Sequence, residues 1–171
     1  MGYRITIGEL VPADSSDEAS RPDAQSVTLD EAPAFGEPTD YTNERWPSYT
    51  GWNDFLSATG LGFLSPCTCR EFARNAECPP LMDEHPGVMP VLPVHLAKVE
   101  EALARYRARI GADKKPGWGS TEVFDQKSGT HIEVQEADHE LYDGNLARLT
   151  WLRFWLKWAL ENCKNPVCAN S

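Results

Sequence analysis

The chain has 171 residues, the length of one ordinary domain, so a two-domain enzyme is not expected. It carries 26 Asp and Glu against 16 Lys and Arg, a formal charge of −10 at pH 7, and so lacks the positive surplus that a phosphate backbone or an anionic membrane selects for. General nucleic-acid binding and a membrane partner are excluded on that ground, while 41% apolar residues including six Trp supply a core that a disordered acidic tail would not have.

From the N-terminus, Tyr3, Ile5 and Ile7 alternate with Arg4 and Thr6, the period of a half-buried strand over residues 3–10. No basic start leads into a long apolar run and no segment is apolar enough to span a bilayer, so a cytoplasmic protein is expected, with its five cysteines (Cys67, Cys69, Cys78, Cys163 and Cys168) as reduced thiols. Residues 11–25 are Pro, Ala, Asp, Ser and Glu with almost no core formers, the composition of a flexible acidic insert in a single domain spanning 1–171. Ser26 to Leu29 reads as a short strand returning beside the first. Residues 9–44 hold ten acidic side chains and one basic one, Arg21, so nine of the ten excess negative charges sit there and the body is nearly neutral. That distribution favours a solubilising role for the insert over mimicry of DNA, which needs charge spread over a rigid surface.

Residues 32–49 contain Pro33, Pro38 and Pro47 and keep neither the helical nor the strand period, which predicts an extended, ring-rich irregular loop. A helix is expected from Ser48 or Thr50 through Trp52, Phe55 and Leu56 to Gly60. Residues 61–92 read as loop, with one short helix from Pro66 to Asn75. Pro93 suits the first turn of a helix whose stripe is Leu96, Val99, Leu103, Tyr106 and Ile110, stopped by Gly111. Residues 121–125 and 130–134 flank a turn ending in Gly129 and predict a hairpin. The last helix begins between Asp138 and Asp143 and runs to about Asn162, with Leu146, Leu149, Leu152, Leu156 and Leu160 on one side and Trp151, Phe154, Trp155 and Trp158 widening it. A helix apolar over most of its circumference is either central to the fold or covers a partner, a second copy of the chain included.

The densest group of chemically useful side chains is Asp40, Tyr41, Asn43, Glu44, Arg45, Trp46, Ser48, Tyr49, Trp52 and Asp54. Flat rings beside a carboxylate, an amide and a guanidinium suit a small polar or anionic ligand, with Arg45 as a two-pronged donor. The same residues would equally serve to pin an irregular loop to the body. Two metal sets compete with plainer roles. Cys67, Cys69 and Cys78 with His85 offer thiolates and an imidazole, but C-x-C is tighter than the C-x₂₋₄-C of zinc knuckles. His131, Glu133 and His139 could make a His/His/carboxylate site, although the H-E-x-x-H spacing is absent and a solvated acidic strand edge explains them too. A Cys67 or Cys69 thiol with His85 would be a nucleophile pair only if the fold joined them. No Gly-rich phosphate cradle is present, and Lys114-Lys-Pro-Gly-Trp118 has too few cations to hold single-stranded nucleic acid. No cofactor is expected.

Three stretches, Gly2-Tyr-Arg-Ile-Thr-Ile-Gly8, Asn43-Glu-Arg-Trp-Pro-Ser-Tyr49 and Trp158-Ala-Leu-Glu-Asn-Cys163, resemble small uncharacterised proteins of tailed bacteriophages. The resemblance covers most of the chain outside the acidic insert. It implies expression in a bacterial cytoplasm and an accessory or host-interaction role, and carries no activity with it. The sequence therefore predicts an α+β fold with long irregular loops. Its small antiparallel sheet, from residues 3–10, 27–29 and the 121–134 hairpin, packs on helices at 50–59, 94–110 and 143–162. The expected function is binding without catalysis through residues 40–54, with Asn43, Glu44, Arg45, Trp46, Tyr49 and Trp52 as the contact residues and an unknown protein or small anionic ligand as the partner. A divalent-metal hydrolase built on His131, Glu133 and His139 is the alternative.

Overall fold

The computed structural model describes residues 2–13, 21–36, 41–65, 77–125 and 129–171, with 121–125 as backbone alone. It is an α+β structure of three long helices and an antiparallel sheet. The elements run β1 (Ile5–Val11), β2 (Asp23–Ala24), β3 (Glu44–Arg45), α1 (Tyr49–Thr59), β4 (Gly87–Pro90), α2 (Pro93–Ile110), β5 (Lys115–Pro116), β6 (Ser120–Asp125), β7 (Thr130–Gln135), β8 (Tyr142–Asp143), α3 (Gly144–Asn162) and β9 (Pro166–Asn170).

All three helices lie close to where capping and periodicity place them. Ser48 caps α1, its Oγ accepting from the Gly51 amide 3.1 Å away. Gly60 closes that helix at φ 75°, a left-handed conformation that favours glycine. Pro93 opens α2, and Gly111 ends it at φ 101°. Asp143 caps α3, its Oδ1 accepting from the Leu146 amide at 2.7 Å. Leu146, Leu149, Trp151, Leu152, Trp155 and Leu156 of α3 are all at most 1% exposed, against Phe55, Leu56, Leu61 and Val99 from the rest of the chain. Its apolar circumference is thus spent inside the molecule, with Phe154, Trp158 and Leu160 partly buried at its margin.

The main sheet has the order β2-β1-β9-β4, with β3 on the same edge of β1 as β2. Ile5 and Ile7 face the helices, and Ile5 of β1 lies opposite Asn170 of β9. Two expectations are corrected here. Val27–Leu29 is not a strand beside β1: Thr28 makes only a lone bridge to Thr42, and the return strand is Asp23–Ala24, inside the stretch read as a flexible insert. The 121–134 hairpin does not join the main sheet, since β6 and β7 pair only with each other. Every residue of β7 is exposed. The vacant places beside β1 and β9 are filled by the chain's last strand and by Gly87–Pro90, in a stretch read as loop. The expected 66–75 helix lies outside the described residues.

Candidate functional site

The described residues of the ring-rich loop take definite places. Asn43 sits at a fork where β1 passes from its pairing with β3 to its pairing with β2. Its Nδ2 donates to the Ile7 and Gln25 carbonyls, both at 2.7 Å, and its Oδ1 accepts from the Val27 amide, also at 2.7 Å. It is fully buried, with every strong bond made to backbone. Glu44 accepts from Arg4 at 2.7 Å, and this bond is the chief reason that the Arg4 guanidinium holds its proton more tightly than usual, against a smaller loss from burial. Arg45 is 3% exposed, its guanidinium 5.3 Å from the centre of the Trp151 ring and 5.9 Å from that of Phe35. Trp52 lies in the core against Phe55. Asp40 is outside the described residues.

Trp46 is the opposite case. It is 64% exposed, the most exposed of the large apolar side chains among the described residues, with the Arg4 guanidinium 5.6 Å from its ring centre. Arg148, on α3, approaches a second exposed indole. Its guanidinium is 5.3 Å from the Trp118 ring centre, and it lines a crevice together with Arg45, Trp46, Pro47, Trp52 and Trp151. That crevice measures about 30 Å³, room for one water and far below the several hundred cubic ångströms of a small-molecule pocket. The segment thus adjoins a surface on which Arg4 lies against the Trp46 ring and Arg148 lies against the Trp118 ring and shares a crevice with Trp46. Arg4, Trp118 and Arg148 come from three distant parts of the chain, so no local pattern announced them.

The metal sets are not assembled in the described residues. Cys67 and Cys69 lie outside them. Cys78 is buried, which pushes its thiol up despite the opposing charge of Lys98, and its Sγ faces the Pro79 carbonyl at 3.8 Å. His85 is engaged by Tyr49 and Asn170. His131 stands opposite Phe124 toward the hairpin tip, whereas His139 is at its base, with Nδ1 3.1 Å from the Glu136 carbonyl. Among the described residues no three His, Cys, Asp or Glu side chains converge on a metal position, and no helix is long and apolar enough to cross a membrane. No family model, curated protein or solved structure matches the chain.

Proposed function

We propose that the chain is a protein-binding accessory protein and that the face built on Trp46, Trp118, Arg148 and Arg4 is its contact surface. The observation that carries this reading is a pair of exposed indoles, 64% and 37% exposed, each with an arginine against its ring. Trp, Tyr and Arg dominate the energetics of protein interfaces, because a rigid ring buries a large area at little entropic cost and a guanidinium keeps its hydrogen bonds while stacked. Tyr41, 45% exposed in the same loop, extends the set. The water-sized crevice favours a macromolecular surface over a small anionic ligand, and the buried Arg45 guanidinium is not placed to grip one. The resemblance to small tailed-phage proteins makes a bacterial host protein the partner of choice, met in the host cytoplasm.

Photo-crosslinking tests this. A benzoylphenylalanine at position 46, with the full chain expressed in a bacterial host, should give a discrete adduct that the same group at Glu161, exposed on α3, does not give. Arg148→Ala should deplete the adduct. Equal, or no, adducts from the two positions would refute the reading. Once the partner is purified, Trp46→Ala should weaken its binding by about 2 kcal/mol, the scale of an interface hot spot.

A further inference from the structure

The face above leaves unused a chain of hydrogen bonds on another part of the molecule. Tyr49 Oη lies 3.0 Å from His85 Nε2, and His85 Nδ1 lies 2.9 Å from Asn170 Oδ1. The direction of the protons follows from Asn170. Its Nδ2 donates to the Glu84 carbonyl at 2.9 Å and toward the Gly87 carbonyl at 3.4 Å, so its Oδ1 is the acceptor for His85. Nδ1 of His85 therefore carries the hydrogen, and the lone pair of Nε2 accepts the phenolic hydrogen of Tyr49. Asn170 is 2% exposed and anchored in β9, which fixes the imidazole. The Tyr3 ring holds both partners edge-on, with centroids 4.6 Å from Tyr49 and 4.9 Å from His85.

This is the arrangement of an activated nucleophile: a hydroxyl on a base, and the base oriented by a third, buried group. One further feature suits it. Tyr49 is the first residue of α1, where the partial positive charge of the helix end favours an oxyanion.

We infer that Tyr49 is a base-activated nucleophile that accepts an acyl group from an activated ester. In the step, Tyr49 Oη bonds to the carbonyl carbon, the bond from that carbon to the leaving oxygen breaks, and the phenolic proton passes to His85 Nε2 and on to the leaving oxygen. The resulting aryl ester is itself labile, and water deprotonated by His85 returns the free tyrosine with release of the acid.

The test is acetylation of the intact protein by 4-nitrophenyl acetate, followed by peptide mass spectrometry. Tyr49 should be labelled at least tenfold faster than Tyr41, which is 45% exposed and outside the relay. His85→Gln should remove that preference, and Tyr49→Phe, which keeps the ring stack, should remove the burst of nitrophenolate. Labelling of Tyr41 first, no tyrosine labelling, an unchanged rate in His85→Gln or a burst surviving in Tyr49→Phe would each show that the relay is only a clasp between α1 and β9.

Discussion

Asn43 and Trp46 are three positions apart and do opposite things. Asn43 spends its amide on three backbone groups that the strand fork leaves unpaired, and Gly8 permits the approach, because a Cβ there would come within 2.8 Å of the Gln25 carbonyl oxygen. Asn43→Leu would strand the Val27 amide and two carbonyls in the interior, at about 1–3 kcal/mol for a buried unsatisfied group. We expect urea denaturation to show a loss of about 3 kcal/mol or more for Asn43→Leu, and about 0.5 kcal/mol or less for Trp46→Ala, since exposed positions away from caps and cores tolerate truncation. Comparable losses at both would place the indole in the structural framework. The sequence marks both residues as notable but cannot separate them. Which amide meets a fork depends on strands brought together from residues 5–11, 23–24 and 44–45. The relay is less legible still: Tyr49, His85 and Asn170 are 36 and 85 positions apart in successive steps, a spacing that matches no motif.

At the scale of elements, local signals are readable where they are self-sufficient. The helices carry their own caps and stripes, so α1, α2 and α3 are legible. The hairpin carries its own turn, with Gly129 at φ 68°, so its existence is legible but its position is not, since nothing local says which sheet a hairpin joins. Strand β9 is the least legible: Pro-Val-Cys-Ala-Asn opens on a proline and is too short for a period, yet Val167 to Asn170 are buried because β1 and β4 flank them on both edges. Strand β4 also shows why the sheet stops where it does. The Val91 amide donates to the Pro166 carbonyl at 2.9 Å, so by alternation Gly87 and Met89 bond inward while Val88 and Pro90 face out. Pro90 has no N–H to offer, and Arg21 reaches the Pro86 carbonyl at 3.3 Å, an edge guarded against further pairing. The hairpin, by contrast, pairs with no other strand among the described residues, and β7 is exposed throughout. The Glu136 amide donates to the Gly119 carbonyl at 2.8 Å, so the two ends of residues 120–135 are adjacent. Replacing those residues by an Asn-Gly turn should change the unfolding free energy by no more than about 1 kcal/mol, as measured by denaturant midpoint and slope. A larger drop would mean that the hairpin contributes to the core after all.

For the whole molecule, burial of ionisable groups sets a window of pH in which the fold is most stable. On the acid side, His95 is fully buried, with Nε2 2.8 Å from the Pro79 carbonyl and Nδ1 accepting from the Leu92 amide at 2.9 Å. Burial lowers its pKa below the ordinary 6.5, outweighing the bond to Pro79. Below pH 6.5 the unfolded chain therefore binds a proton that the folded chain refuses, and stability falls as the pH falls. On the alkaline side, Cys168 is wholly enclosed in β9, and burial pushes its thiol from 9.0 up to about 12. Above pH 9 the unfolded chain loses a proton that the folded chain keeps, so stability falls as the pH rises toward 12. One unit of pH beyond the unfolded value costs about 1.4 kcal/mol. Urea unfolding under reducing conditions should accordingly show a loss of at least about 1.4 kcal/mol between pH 8 and pH 10. Cys78 and Cys163, whose thiols burial also raises, add to the same limb. At the upper end of that range the buried Tyr106 hydroxyl, raised above 10.0 chiefly by burial, begins to add to the same limb. Cys168→Ala shifts the baseline by its own packing cost, but its stability should be clearly flatter over those two pH units. An alkaline slope as steep in that variant as in the natural chain would exclude the Cys168 thiol as its cause.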